Sequence, residues 1–196
     1  MTPKHENYLK QCIVIFRELG DRRGEGDALR GLAIAYRDQG RIEDAIECFD
    51  RCRAIFNDLD DRRGNAYVEL SLGLLHRERR DTAQARVCFE RSLEAFDQLA
   101  DVRGEAYAKI CLGDLYLTCD RADEALDLFK DCLPIFQDFD ERRWTARTLR
   151  SIGVALAILG NTAAATRAWR KALAIFADLG VPEAAQVAEW LQQPGS

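Results

Sequence analysis

A period of 40 residues governs this chain, and it runs four times without insertion or deletion, over residues 21–60, 61–100, 101–140 and 141–180. Each block opens on an acidic residue and a basic run: Asp21-Arg22-Arg23-Gly24, Asp61-Arg62-Arg63-Gly64, Asp101-Val102-Arg103-Gly104 and Glu141-Arg142-Arg143-Trp144. Each closes on an apolar pair: Phe56 and Leu59, Phe96 and Leu99, Phe136 and Phe139, Phe176 and Leu179. A fixed period of this length means stacked supersecondary units in place of one central core. Arrays of that kind seldom carry chemistry; they offer long surfaces to partners.

The flanking residues are cut from the same pattern. Residues 1–20 align with the second half of a block, with Phe16 and Leu19 where Phe56 and Leu59 stand, and residues 181–196 begin a fifth block. The expected organisation is one array over residues 1–196: a half unit over 1–20, four whole units, and a capping helix over 181–196. A chain that starts in mid-unit reads as a piece of a longer protein. Phe16, Phe56, Phe96, Phe136 and Phe176 recur once per unit and are expected to be buried between units. The helix around Tyr8 to Phe16 lacks a first helix of its own, so one apolar flank is expected to be uncovered. Self-association through such exposed ends is the expected consequence.

Every block resolves into two helices. In the first, Ala28, Leu29, Leu32, Ala33 and Tyr36 form one stripe at helical spacing, and Ile42, Ala45, Ile46, Phe49, Cys52, Ile55 and Phe56 form another. Gly40 breaks the helix between them. The break recurs at Arg80-Asp81, Asp120-Arg121 and Gly160-Asn161, where Asp81, Asp120 and Asn161 are candidate N-caps, and Asp21, Asp61 and Asp101 suit the starts of first helices. No stretch alternates with period two, so no strand is predicted. Pro134 falls where the sibling helices carry Ala54, Glu94 and Ala174, which predicts a kink or an early 3₁₀ turn over residues 130–134.

These blocks resemble the tetratricopeptide repeat. That family carries Leu-Gly and then Tyr on its first helix, and Ala with an aromatic residue four positions on in its second. Leu112-Gly113, Tyr116, Ala125 and Phe129 follow the pattern, as do Leu32-Ala33, Tyr36, Ala45 and Phe49. Leu72-Gly73, His76, Ala85 and Phe89 match with His for Tyr; Ile152-Gly153, Leu156, Ala165 and Trp169 match with Leu for Tyr and Trp for Phe. The small residues sit where a neighbouring helix passes close, and the aromatic rings fill the next hole. The resemblance implies an all-α, right-handed α-solenoid of antiparallel helix pairs. HEAT and armadillo arrays share a period near 40 and are the structural alternative, without this combination of motifs. The longer repeat is similar to that of metazoan polarity adaptors, kinesin light chains and bacterial STAND-type (NB-ARC ATPase) transcriptional regulators. The ending Leu179-Gly180-Val181-Pro182-Glu183-Ala184 is most similar to the bacterial regulators.

Composition narrows the remaining functions. Hydrophobic residues make up 47% and charged residues 31%, and no apolar run approaches the roughly 20 residues that span a bilayer. A polar start from Met1 to Lys10 offers no export signal, which gives a cytoplasmic expectation. A net charge of −5 disfavours sequence-independent nucleic-acid binding. The seven cysteines fall in columns of small residues and form no Cys-x-x-Cys, so they are expected to be packed thiols, with Cys119 near a turn as the exception. His5 and His76 have no nucleophile beside them, and no phosphate-binding Gly-rich loop occurs. The expectation is a chain with no catalytic, metal or cofactor site.

The inner groove is what remains. The resemblance places Arg30, Ile34, Arg37, Tyr67, Leu70, Leu74 and Arg77 on it, together with Tyr107, Ile110, Asp114, Leu117, Arg147, Arg150 and Val154. Apolar residues from Tyr67 to Leu117 would make a continuous floor with arginines toward its rim. Such a surface suits a protein or peptide partner, helical or extended, with apolar and acidic residues. The expected role is an interaction module, either the C-terminal sensor or scaffold region of a larger bacterial regulator or a free-standing adaptor.

Overall fold

The computed structural model describes residues 3–192, with side chains from residue 5 onward. Residues 1–2 of the expected half unit and residues 193–196 of the expected capping helix lie outside the described residues. Among the described residues there are ten helices and no strand: α1 (Pro3–Glu18), α2 (Arg22–Asp38), α3 (Ile42–Asp58), α4 (Arg62–Glu78), α5 (Thr82–Gln98), α6 (Val102–Leu117), α7 (Ala122–Asp138), α8 (Arg142–Ile158), α9 (Thr162–Asp178) and α10 (Glu183–Gln192).

One turn design separates successive helices. Gly20, Gly40, Asp60, Arg80, Ala100, Asp120, Asp140, Gly160 and Gly180 all take positive φ. The backbone therefore repeats every 20 residues, and only the side chains double that to 40. At each turn the chain folds back on its own carbonyls: Asp61 N–H donates to Phe56 O at 2.8 Å and Asp60 N–H to Asn57 O at 3.1 Å. The next residue opens the following helix. Asp21, Asp61, Asp81, Asp101 and Asn161 accept from the backbone N–H three residues on, satisfying a donor that the helix start leaves free. Asp120 does not cap a helix as its residue type suggests. It takes the left-handed turn position, and Arg121 occupies the cap without a side-chain bond.

The helices form two compact units, residues 1–100 and 101–196. In the first, α2 pairs with α3 and α4 with α5, while α1 packs on α2, α3 on α4, and α2 meets α4. In the second, α6 pairs with α7 and α8 with α9, while α7 packs on α8, α10 on α9, and α6 meets α8. Phe49, Phe56, Phe89 and Phe96 are fully buried in the first unit, as are Phe129, Phe136 and Phe176 in the second. Phe16 is only half-buried. Of each closing apolar pair only the phenylalanine in the helix is core; Leu19, Leu59, Leu99, Phe139 and Leu179 sit at the turns and are exposed.

The Leu-Gly motif has a steric cause. A Cβ at Gly73 would stand 2.5 Å from the Phe89 ring, one at Gly113 2.5 Å from Phe129, and one at Gly153 2.2 Å from Trp169 Nε1. The cysteine columns are equally structural. Cys48, Cys52, Cys88, Cys111 and Cys132 are buried, Cys12 is half-buried and Cys119 is exposed, all as free thiols. Cys52 donates to Gly26 O at 3.1 Å and its equivalent Ser92 donates to Ala66 O at 2.9 Å, so one hydrogen bond repeats with two residue types. Burial pushes the Cys52 and Cys132 thiols up to about 12, which keeps them protonated and unreactive.

At Pro134 the expected 3₁₀ or turn segment does not form, and helix α7 runs unbroken through the proline. Pro134 and Lys130 both lie on the exposed face, so the carbonyl that loses its donor is left to solvent.

Candidate partner-binding surface

The first-helix residues predicted to line a groove divide between the units: Arg30 to Arg77 in the first, Tyr107 to Val154 in the second. In the first, Arg30, Ile34, Arg37, Tyr67, Leu74 and Arg77 are partly exposed. In the second, Tyr107, Asp114, Leu117, Arg147, Arg150 and Val154 are partly exposed. Leu70 and Ile110 are buried, Ile110 with 0% exposure, and supply no floor for a ligand. They share a column with Arg30 and Arg150. An apolar side chain in that column turns inward, whereas arginine carries its charged head outward along an apolar stem.

In the first unit the aromatic centre is Tyr67. Its ring meets Phe96 edge-on at 4.8 Å, and two guanidiniums cover it, Arg30 at 5.2 Å and Arg63 at 5.9 Å from the ring centroid. The cations are attracted to the ring face, so arginine and tyrosine form one surface instead of a rim and a floor. Arg30 also lies 3.6 Å from Asp27. Arg37 is held at 2.7 Å by Asp38 and at 3.3 Å by Glu78. A cleft of about 300 Å³ on α1–α3 has Val14 and Tyr36 in its wall and Lys10, Arg17 and Arg51 around it.

The second unit carries a denser cluster. Tyr107 meets Trp144 at 4.8 Å and Phe136 at 5.4 Å, both with tilted rings, and its hydroxyl donates to Glu141, which also binds Arg103. Burial, and then that bond to the carboxylate, push the Tyr107 hydroxyl up to about 12. Arg147 lies over the Trp144 ring at 4.8 Å and donates to Asp114 at 2.8 Å, and Asp114 takes a second bond from Ser151 at 2.8 Å. Arg143 donates to Glu183 at 2.6 Å. That contact holds the Glu183 carboxyl below its ordinary range, helped by a backbone hydrogen bond at Glu183. Arg143, Trp144, Arg147, Arg150, Phe176 and Glu183 line a cavity of about 200 Å³. Sequence reasoning missed Arg143, Trp144 and Glu183. For two of them the signal was a departure from the repeat: Trp144 stands where Gly24, Gly64 and Gly104 do, and Glu183 where four arginines do; Arg143 follows the repeat and carried no such signal.

Among the described residues no three His, Cys, Asp or Glu side chains are grouped to hold a metal, and no helix is long and apolar enough to cross a membrane. The tetratricopeptide repeat model matches residues 6–58, 24–98 and 104–178. The chain belongs to the tetratricopeptide repeat family. This sets aside the HEAT and armadillo alternatives, and the Leu-Gly and Ala-x-x-x-aromatic columns are the family's. No curated protein matches the sequence. Among solved structures, BtubC (BKLC) from P. vanneervenii is similar at 21% identity and a TM-score of 0.71, over 90% of this chain and 74% of that one. A Rap protein complexed with competence and sporulation factor is similar at 14% identity and a TM-score of 0.74, over 97% of this chain and 60% of that one. MamA is similar at 21% identity and a TM-score of 0.56, over 89% and 93%. At these identities the likeness is one of fold: an all-α tetratricopeptide solenoid, consistent with protein–protein interaction.

Proposed function

We propose that this tetratricopeptide array is a non-catalytic, cytoplasmic interaction module that binds a helical or extended peptide segment with apolar and acidic residues. The observation that carries the reading is the pairing of partly exposed aromatic rings with guanidiniums on first helices: Arg30 and Arg63 on Tyr67, and Arg147 on Trp144. Rings supply desolvated contact area, and arginines held by ring and carboxylate supply preorganised charge. The apolar half-covered face of α1, with Tyr8 60% exposed and Ile15 52% exposed, offers a second route, self-association of copies.

The finer context is the sensor or scaffold region of a bacterial regulator of the STAND/NB-ARC class. The arginine-rich composition and the Leu179-to-Ala184 ending support it. A free-standing adaptor is the second reading, favoured by the similar Rap structure, which holds a bound factor. A nucleotide-binding ATPase domain encoded in the same reading frame or operon supports the regulator, and none supports the adaptor.

The binding reading is tested by fluorescence anisotropy with labelled amphipathic peptides bearing Glu, Gln or Lys on their polar face. The Glu series should bind, and Arg30→Glu or Arg147→Glu should weaken it, more at low ionic strength. Equal binding of all three series, or of none, would remove the case for an acidic partner.

A further inference from the structure

The last repeat departs from its siblings in two columns that meet in one cavity. Arg23 reaches Asp61 at 3.2 Å, and Arg103 reaches Glu141, so these arginines pair with the acid that opens the next unit's first helix. Arg143 finds Val181 in that acid's place and pairs instead with Glu183 at 2.6 Å. Glu183 itself stands where Arg23, Arg63, Arg103 and Arg143 stand in their own units. In the second column Trp144 replaces glycine, and its indole becomes a wall of the 200 Å³ cavity that Arg143, Arg147, Arg150 and Glu183 also line.

The cavity is unevenly satisfied. Three guanidiniums and one carboxylate line it, so its lining is net positive. Two polar atoms of these residues are buried without a hydrogen-bond partner, Arg147 Nε and Glu183 Oε2. An unused buried donor on an arginine favours an incoming acceptor, and charge-assisted bonds favour an anionic one. Arg147 is preorganised for it, fixed by Asp114 at 2.8 Å and by the Trp144 ring at 4.8 Å. Glu183 lies in the first turn of α10, where turning one side chain would free Arg143 without unpacking Val187, the buried anchor of that helix.

We propose that this cavity is a carboxylate-binding site for an acidic side chain of a partner peptide, and that Glu183 occupies it in the free protein as a built-in competitor. The proposal rests on the peptide-binding reading above and names its anchor point. The partner's carboxylate takes over Arg143 and, as Glu183 turns away, the unpaired Nε of Arg147, and an apolar residue beside it lies against Trp144. Selectivity is for a carboxylate over its amide, because the amide brings a donor against three cations.

The test uses the full chain and a fluorescein-labelled peptide with Leu and Glu at helical spacing, beside its Gln-for-Glu counterpart. Glu183→Gln should tighten the Glu peptide by about tenfold, the scale of one charge-assisted hydrogen bond. Arg143→Gln and Arg150→Gln should each weaken it by about tenfold, and the Gln peptide should gain nothing from Glu183→Gln. Circular dichroism melting of each variant checks that the fold is retained, and Glu183→Asp, which keeps the charge, should leave affinity near wild type. If the wild type binds the Glu peptide but Glu183→Gln and both arginine variants bind it equally, the cavity proposal fails while the interaction module stands. If neither the wild type nor Glu183→Gln binds it, both fail.

Discussion

In residues 1–100 the Phe56 ring lies so close to Gly64 that a Cβ there would stand 2.6 Å from it. In residues 101–196 Trp144 holds the glycine's place, and Phe136, the equivalent of Phe56, stacks on its indole at 5.7 Å and 20°. Both phenylalanines are 1% exposed. The frame thus fixes the burial of the phenylalanine and leaves its neighbour free to be a bare backbone or a large ring. The unit that chose the ring also gained the Tyr107 contact, the Arg147 contact and a cavity wall. Variation between units is therefore where a repeat protein acquires a site, and substitutions that transplant one unit's residue into the other test this directly.

The largest effect is expected from Trp144→Gly, which imposes the first unit's solution on the second. It removes the stack on Phe136, the contact with Tyr107 and the seat of Arg147, and should cost about 3 kcal/mol in urea unfolding. The reciprocal Gly64→Trp has no such outlet prepared and should cost about 1–3 kcal/mol by overpacking. A neutral Trp144→Gly would mean that Phe136 settles on the glycine as Phe56 does, and the comparison would collapse.

Pro134→Ala transplants Ala54 of the first unit. Interior proline costs about 3 kcal/mol against alanine, and releasing the unfolded chain from the ring offsets up to about 1 kcal/mol. A net gain of about 2 kcal/mol is expected. The check is the denaturation midpoint at unchanged slope. No gain would show that the exposed carbonyl of Lys130 is already well hydrated.

Much of this was legible in the sequence, and the exceptions share a cause. The core columns were readable because Phe56, Phe96, Phe136 and Phe176 repeat in identity and every one is buried. The 20-residue backbone period was hidden, because only four of its nine turn positions are glycine and Asp60, Arg80, Ala100, Asp120 and Asp140 disguise the rest. Leu70 and Ile110 were misplaced because a column shared with arginines has no single side-chain direction. Pro134 was read by residue type alone, without knowing that its face meets water. The cavity was invisible to alignment of the repeats, since Trp144 and Glu183 are the residues that break them.

The turn positions give a smaller test. Ala100 holds φ +51° where Gly20 and Gly40 hold +70° and +74°. A Cβ in the left-handed region costs roughly 1–2 kcal/mol, part of which returns as the greater entropy of unfolded glycine. Ala100→Gly should stabilise by about 0.5–1 kcal/mol, and Gly40→Ala should lose a similar amount. Asp60→Gly should gain less, because aspartate tolerates this conformation. Equal gains from Ala100→Gly and Asp60→Gly would show that the side chain at the turn does not set the scale.

The smallest effect concerns an arginine contact that one repeat lacks. Arg22 lies 3.7 Å from Asp58 and Arg142 2.5 Å from Asp178, each joining the start of a first helix to the end of its second. Arg62 makes the same reach to Gln98 at 2.6 Å. In the third repeat the arginine is Val102, an exposed apolar residue, while Asp138 keeps the acceptor. Val102→Arg should complete the series and stabilise by about 0.2–1 kcal/mol, the range for an exposed pair. Arginine also has a better helix propensity than valine, so the single substitution confounds two effects. A double-mutant cycle with Asp138→Asn separates them, because the propensity gain survives the loss of the acid and the pair energy does not. The coupling should fade between low salt and 1 M salt, where the screening length falls to about 3 Å. A coupling that is zero at low salt would mean that the arginine at this position serves the surface alone, and that the three existing contacts are no part of what holds the helix pairs together.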